Sequence, residues 1–118
     1  MQENHKTDLI LFDLDGTLID TAPDFHTSLN TMLKKYNMNE VSEFDIRPHI
    51  SEGTSKLIKK FFAIDEDDSK FEPLKSEFLS EYNMNKTKGC KLFGGITSLI
   101  NFMYKNNIQI YIYIYICC

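Results

Sequence analysis

Apolar and polar residues alternate in two different rhythms along this chain, and each rhythm predicts a kind of element. Near the N-terminus, residues 9–12 form an uninterrupted apolar run between Asp8 and Asp13. A run of this length predicts a short strand buried on both faces, as in a parallel sheet. Near the other end, isoleucine occupies every even position from Ile108 to Ile116, and three tyrosines and Gln109 stand between. This strict alternation predicts a second strand.

Between the two strands, apolar residues recur at the spacing of amphipathic helices. We expect Thr21 to cap the first helix, Ser42 to cap a short second helix that ends before Pro48, and residues 89–95 to form a hinge-like connection. Residues 21–84 thus predict a small helical bundle, and a further helix precedes the second strand. The apolar stripes are Phe25, Leu29, Met32, Leu33 and Tyr36; Leu57, Ile58, Phe61 and Phe62; Phe71, Leu74, Phe78, Leu79 and Tyr82; and Ile96, Leu99, Ile100 and Met103.

The order of these elements predicts an α/β fold in which a helical bundle is inserted after the first strand. Residues 1–20 would hold the first strand and its loop, 21–88 the bundle, and 89–118 the last helix and the second strand with its Ile/Tyr repeat. The 118 residues are enough for one domain, or for a small domain with an insertion.

Charge and composition exclude several classes of function. The net charge is −4 and no run of Lys or Arg is present, which argues against a nucleic-acid binder. No apolar stretch reaches the roughly 20 residues of a membrane helix, and the N-terminus lacks the apolar core of a signal peptide, so we expect a cytoplasmic location. The three cysteines, Cys90, Cys117 and Cys118, form no CxxC pair, so they support neither a disulfide framework nor a zinc site.

The chemistry of the chain is concentrated in residues 12–18, which read FDLDGTL. Asp13 would end the strand and Asp15 would lie in the turn, at the sheet edge where α/β proteins place their sites. Gly16 permits a conformation that a Cβ would oppose, and Thr17 could fix the turn or hold a phosphate oxygen. Two carboxylates two residues apart repel each other, and a divalent cation between them and a phosphate would make the arrangement favourable. Oxygen ligands and a phosphate partner favour Mg²⁺ as this cation. One carboxylate could then attack phosphorus while the other transfers protons.

The same segment, followed by DTAPD at 20–24, resembles the first motif of the haloacid dehalogenase (HAD) superfamily. Residues 46–53, which read IRPHISEG, and the segments 71–82 and 91–96 resemble its phosphoglycolate phosphatase branch. The stretch is particularly similar to the bacterial N-acetylmuramic acid 6-phosphate phosphatases. The resemblance covers residues 8 to about 110.

The resemblance implies an α/β, HAD-like (Rossmann-type) core with an inserted α-helical cap. It implies a Mg²⁺-dependent phosphatase that hydrolyses a small phosphorylated metabolite through an aspartyl-phosphate. Asp13 would be the nucleophile and a metal ligand, and Asp15 the general acid/base and a metal ligand through its backbone carbonyl. Thr17, Arg47 and Ser51 would bind phosphate or substrate, and His49 could also face the substrate. Arg47 is equally well explained as a solvated surface residue.

The resemblance also implies residues beyond position 116: a Ser or Thr that binds phosphate, a Lys and a later acidic pair. We therefore expect that an AT repeat in the gene shifted the reading frame and truncated the chain after the second core strand. Such a chain should show little turnover. The alternative explanation of the Ile/Tyr repeat is a genuine extended strand. An exposed, uncharged Ile/Tyr strand predicts self-association through this C-terminal strand. Two further alternatives stay open, a non-catalytic fragment or interaction module and a sugar-phosphate mutase of the same superfamily.

Overall fold

The computed structural model describes residues 6–114 and divides the chain into two compact units. The sheet unit consists of Met1–Asp20 with Lys91–Cys118, and the bundle unit of Thr21–Cys90. The predicted continuation of the second strand through Ile116, together with Cys117 and Cys118, lies outside the described residues.

The sheet unit contains the two predicted strands, and they are parallel neighbours. β1 (Leu9–Asp13) pairs with β4 (Gln109–Tyr113), with Leu9 opposite Gln109 and Asp13 opposite Tyr113. α5 (Ile96–Lys105) leads into β4 and buries Met103. The predicted α/β class is therefore confirmed.

A second, very small sheet replaces part of the predicted hinge-like connection. β2 (Ile19–Asp20) pairs antiparallel with β3 (Lys91–Leu92). This strand pair was not predicted, because two-residue strands carry no alternation that a sequence pattern could reveal.

The prediction that the first strand is buried on both faces was also wrong. The side chain of Leu9 is exposed, and that of Leu11 is 63% exposed. Among the described residues β1 pairs with β4 alone, so this sheet has only two strands. The continuous apolar run is therefore typical of a strand that is covered on both faces in a larger sheet, which is not how β1 lies in the described residues.

The bundle unit contains four helices, as its apolar stripes predict. They are α1 (Ala22–Lys35), α2 (Glu43–Ile50), α3 (Thr54–Phe62) and α4 (Phe71–Asn85). Their apolar faces meet in one core, and Phe25, Phe78 and Tyr82 form an aromatic cluster within it. The buried core residues are Leu29, Met32, Leu33, Ile46, Leu57, Ile58, Phe62, Phe71, Leu74 and Phe78.

α2 continues through Pro48 to Ile50, so the prediction that it ends before the proline was wrong. Proline has a φ compatible with a helix and removes one backbone donor. Ile46 is completely buried and holds the helix against the bundle. At the start, Ser42 and Asp45 form a reciprocal capping box, as expected for Ser42.

Thr21 precedes α1 as predicted, but its side chain does not cap the helix. Its backbone is in the helical region (φ −96°, ψ −4°), whereas a capping side chain requires an extended residue. The carbonyl of Thr21 instead accepts the amide hydrogens of Asp24 and Phe25.

The loop between α1 and α2 is fixed by a buried polar side chain. Val41 donates its amide hydrogen to Oδ1 of Asn30 at 2.9 Å, and Nδ2 of Asn30 donates to the carbonyl of Val41 at 2.9 Å. Nε2 of His26 donates to the same carbonyl at 2.8 Å, which assigns His26 a structural role.

Within the part of the chain that is described, no helix is long and apolar enough to cross a membrane.

Candidate active site

Asp13 lies where the motif predicts it, at the carboxyl end of β1. Its neighbour across the parallel pair is Tyr113, the last residue of β4. The amide of Leu14 donates to Oδ1 of Asp13 at 2.9 Å, which fixes the orientation of the half-buried carboxylate. The side chain therefore stands at the sheet edge where α/β proteins bind ligands.

The loop that follows is wound tightly around one carbonyl group. The oxygen of Leu14 accepts amide hydrogens from Thr17 at 3.3 Å, Leu18 at 3.0 Å and Ile19 at 3.1 Å. Gly16 has a φ of +74° and donates its amide hydrogen to the carbonyl of Ile19 at 2.8 Å. The left-handed conformation explains the glycine, because a side chain opposes it.

The loop is anchored on its far side as well. Leu18 is buried, and its carbonyl accepts the amide hydrogen of Phe93 at 3.0 Å, just beyond β3. Asp15 and Thr17 are exposed. The structure thus holds two carboxylates two residues apart and a hydroxyl on one fixed loop, accessible to a ligand.

The donor set of this loop fits a hard divalent cation. Asp13 and Asp15 offer carboxylate oxygens, and magnesium is commonly held by one or two carboxylates together with water and substrate phosphate. Over residues 6–114, no group of three or more His, Cys, Asp or Glu side chains is placed to hold a metal. The described part of the chain therefore offers two neighbouring carboxylates on this loop and no complete cage.

Arg47 and Ser51, the two other predicted site residues, lie in the bundle unit. Arg47 is exposed near the end of α2 and forms an ion pair with Glu43 one turn earlier. Ser51 caps the C-terminus of the same helix and is exposed. The structure brings Asp13, Asp15 and Thr17 together on one loop, and Arg47 and Ser51 together on one helix end.

The turn after α2 carries a further charged pair. Nδ1 of His49 lies 2.8 Å from Oε2 of Glu52, and this hydrogen bond holds the pKa of Glu52 below its usual range. Lys56 and Lys60 contribute to the same lowering, while desolvation opposes it. The turn beside Ser51 therefore combines one carboxylate with several basic side chains.

The sequence did not reveal that the carboxylate of Asp24 is buried and forms a tertiary contact. Asp24 is 3% exposed, and its two oxygens accept the amide hydrogens of Thr87 at 2.8 Å and Gly89 at 2.7 Å. A Cβ on Gly89 would lie 3.1 Å from Oδ1 of Asp24. The sequence offered only the acidic residue in the first turn after Pro23, which is favourable at any helix N-terminus.

Comparison with known proteins gives a consistent result. The family model described as haloacid dehalogenase-like hydrolase matches residues 10–113. The N-acetylmuramic acid 6-phosphate phosphatase of Pseudomonas putida is 38% identical over 99 residues, covering 84% of this chain and 44% of that protein. The phosphoglycolate phosphatase of Xanthomonas campestris pv. campestris is 34% identical over 91 residues, covering 77% of this chain and 41% of that protein.

Solved structures share the fold at low sequence identity. A haloacid dehalogenase-like family hydrolase from Streptococcus pneumoniae superposes with a TM-score of 0.73 and 20% identity, over 92% of this chain and 49% of that one. A HAD hydrolase of family IA, variant 3, from Entamoeba histolytica gives 0.64 and 23%, over 95% of this chain and 50% of that one. The chain thus spans about half the length of these structures, and less of the two curated relatives.

Proposed function

The chain belongs to the haloacid dehalogenase-like hydrolase family, and on that basis we propose that it carries the nucleophile and the acid/base of a phosphomonoesterase. The observation that supports this most directly is the loop after β1, which holds Asp13 and Asp15 two residues apart around the left-handed Gly16. The curated relatives reported above are named as phosphatases of N-acetylmuramic acid 6-phosphate and of phosphoglycolate.

In the proposed reaction, a carboxylate oxygen of Asp13 attacks phosphorus and the ester P–O bond breaks. Asp15 donates a proton to the leaving alkoxide, so the alcohol departs and Asp13 carries an acyl phosphate. Asp15 then takes a proton from water, which attacks phosphorus and releases inorganic phosphate. The fixed hydrogen bond from Leu14 to Oδ1 of Asp13 keeps the nucleophile in one orientation throughout.

We propose that Mg²⁺ is the cofactor and that the carboxylate of Asp13 and the backbone carbonyl of Asp15 hold it, which leaves the carboxyl group of Asp15 available for proton transfer. The ion would neutralise charge on the phosphoryl group, for which cations and preorganised donors often supply the largest catalytic contribution. Because the described residues contain no group of three His, Cys, Asp or Glu side chains placed to hold a metal, we expect weak binding and little turnover by the 118-residue chain alone.

The proposed substrate is a small phosphate monoester that carries a second anionic group. Phosphoglycolate and N-acetylmuramic acid 6-phosphate, the substrates in the names of the relatives above, both contain a carboxylate besides the phosphate. Arg47 is proposed to bind an anionic group with two parallel hydrogen bonds, for which it would exchange its ion pair with Glu43. Thr17 is proposed to contact the phosphate, and Ser51 is kept as a proposed substrate-binding residue of the bundle unit.

A trapped intermediate tests the chemistry without depending on turnover. The chain is incubated with Mg²⁺, p-nitrophenyl phosphate and hydroxylamine; hydroxylamine does not consume this phosphate monoester, but it converts the acyl phosphate on the protein into a hydroxamate. Peptide mass spectrometry should find the hydroxamate on Asp13 and on no other acidic residue. Substitution Asp13→Asn should abolish it.

The matched control is Asp8→Asn, which makes the same change at the opposite end of the same strand. Asp8 is exposed and bears an ion pair with Lys6, so its loss should leave the labelling of Asp13 unchanged. Labelling that survives Asp13→Asn, or that is lost equally in Asp8→Asn, would contradict the proposed nucleophile. Asp15→Asn should retain the label and slow its hydrolysis when hydroxylamine is omitted.

A further inference from the structure

The turn that follows α4 has a backbone conformation that its own sequence does not favour. The amide of Lys88 donates to the carbonyl of Asn85 at 3.1 Å, which closes a four-residue β-turn. Lys86 has φ −54° and ψ 141°, and Thr87 has a φ of +73°. These angles are typical of a type II turn, whose third residue is normally glycine or asparagine. Threonine is branched at Cβ, so a contact outside the turn must stabilise this positive φ.

The buried carboxylate of Asp24 provides that contact. Its Oδ2 accepts the amide hydrogen of Thr87 at 2.8 Å, and its Oδ1 accepts that of Gly89 at 2.7 Å. Hydrogen bonds to an ionised group are stronger than those between neutral groups. Asp24 is almost completely buried, so water does not compete for its oxygens. The central peptide of the turn, between Lys86 and Thr87, is thus held with its N–H towards a negative charge.

The two ends of the turn are anchored independently of this central peptide. The amide of Lys86 donates to the carbonyl of Tyr82 at 2.7 Å, in continuation of α4. Nδ2 of Asn85 donates to Oε1 of Glu81 at 2.9 Å. Lys86 and Thr87 themselves are exposed. The peptide between them can therefore reverse its direction without displacing a packed side chain.

Reversal of this peptide produces the other common turn of the same length. It converts type II into type I, which has a negative φ at the third residue and is compatible with most residues. Because N–H and C=O point in opposite directions in a trans peptide, the carbonyl of Lys86 would then face Asp24. An ionised carboxylate only accepts hydrogen bonds, so it would repel that carbonyl oxygen. The charge of Asp24 thus opposes the turn that Lys86 and Thr87 favour.

We propose that the peptide between Lys86 and Thr87 is a two-position switch, held in the type II position by the carboxylate of Asp24. Loss of the charge releases the peptide into the type I position, and the helices of the bundle unit stay in place. The reversal breaks one of the two hydrogen bonds by which Asp24 joins the beginning of the bundle unit to its end. The switch therefore controls how firmly the insert is closed, just before the chain enters β3.

NMR spectroscopy of the full chain distinguishes the two positions. In a type II turn, Hα of the second residue lies close to the amide hydrogen of the third, whereas in a type I turn the two amide hydrogens lie close together. We expect a strong nuclear Overhauser effect from Hα of Lys86 to the amide of Thr87 in the unsubstituted chain. In Asp24→Asn it should fall several-fold and be replaced by an effect between the two amides, because Nδ2 of asparagine can donate to the carbonyl of Lys86.

A second substitution separates the switch from a general loss of stability. Glycine adopts a positive φ readily, so Asp24→Asn/Thr87→Gly should recover the strong effect between residues 86 and 87. The matched control adds Ala63→Gly to Asp24→Asn, because Ala63 also has a positive φ, at the C-terminal end of α3, and this change should recover nothing. Asp67→Asn, at an exposed site, should leave the type II turn in place.

Three outcomes would overturn the proposal. Asp24→Asn could keep the strong effect from Hα of Lys86 to the amide of Thr87, so that the carboxylate would not set the direction of the peptide. Ala63→Gly could restore this effect as well as Thr87→Gly does, which would make it a consequence of stability alone. Asp24→Asn and its double variant with Thr87→Gly could both fail to fold, so that the carboxylate would be needed for more than the turn. Folding of the double variant alone, with a type II turn, would support the proposal.

Discussion

The bundle unit and the sheet unit differ in how much of their apolar surface they bury. In residues 6–114, the only buried apolar side chains outside the bundle unit are Leu18 and Met103. The large exposed apolar side chains are concentrated in the sheet unit instead, among them Leu11, Phe102 and Tyr113. Four helices can close a core among themselves, whereas a two-stranded sheet with one helix cannot.

The unit that buries most of the apolar surface is therefore not the unit that carries the candidate active site. The bundle unit provides most of the buried surface that favours folding, and the sheet unit carries the loop with Asp13 and Asp15. The loop needs little core of its own, because the carbonyl of Leu14 and the left-handed Gly16 fix its shape through backbone hydrogen bonds. The loop can therefore keep a defined shape although the side chains of the strands in its unit are largely exposed.

The largest expected effect comes from truncating a side chain in the centre of the bundle. Phe78 is completely buried and contacts Phe25 and Tyr82, so Phe78→Ala should lower the free energy of unfolding by about 3–5 kcal/mol. Phe102→Ala makes the same change at a 59% exposed site on α5 and should cost far less. Urea titrations followed by far-UV circular dichroism compare the two, and equal losses would refute the contrast between the units.

The next effect concerns the buried carboxylate of Asp24. In Asp24→Asn, the amide nitrogen cannot accept a hydrogen bond, so either Thr87 or Gly89 loses its partner. We expect a loss of about 1–3 kcal/mol in the free energy of unfolding. The control Asp67→Asn changes an exposed acidic residue in the loop before α4 and should be nearly neutral. A neutral Asp24→Asn would show that this contact contributes nothing to the bundle.

A smaller effect is expected in the loop of the sheet unit. Gly16→Ala places a side chain in a left-handed conformation and should cost about 1–2 kcal/mol. Gly94→Ala is the matched control, because a Cβ at Gly94 meets no atom within 4 Å and its φ is not positive. Amide hydrogen exchange in β1 measures the local cost. Equal exchange in the two variants would mean that the loop relaxes without strain.

The smallest effect is the pH dependence of a surface contact between α1 and α4. Hydrogen bonds from Lys35 and Tyr36 hold the pKa of Glu77 below its usual range. The contact therefore stabilises the fold above the ordinary glutamate pKa, and this contribution is lost as the pH falls through the lowered value. Because Lys35 is exposed, solvent screens the contact and we expect its contribution to be the smallest of those considered.

The variant Glu77→Gln isolates this contribution. At neutral pH it should be slightly less stable than the unsubstituted chain, and the difference should disappear below the lowered pKa of Glu77. Unfolding by urea at a series of pH values provides the measurement. A difference that persists unchanged in acid would assign the effect to packing and not to charge.

The sequence predicted helices better than it predicted burial or short strands. The stripes through Phe25 and Phe71 gave α1 and α4 directly, since helical spacing is a local property. β3 contains only Lys91 and Leu92, too few residues for any pattern, and it exists because β2 lies beside it. The exposure of Leu11 depends on what covers the strand, which its own side chain does not encode.

The motif loop was predictable for a similar reason. The order of Asp13, Asp15 and Gly16 places the carboxylates at the end of β1 through backbone geometry alone. Asp24 shows the limit of this reasoning: its partners, Thr87 and Gly89, are more than sixty residues away in the chain. Their proximity follows from the packing of α1 against α4, which no local pattern contains.

The contacts of Asp24 have a consequence for how this chain could have been assembled. They bind the beginning of the Thr21–Cys90 segment to its end, so the insert closes on itself. The entropy of bringing two chain ends together grows only slowly with the length between them, and here the insert itself holds them. A host strand and loop can then accept bundles of different sizes without any change in the spacing of the junctions, and the bundle can diverge independently of the loop that carries Asp13 and Asp15.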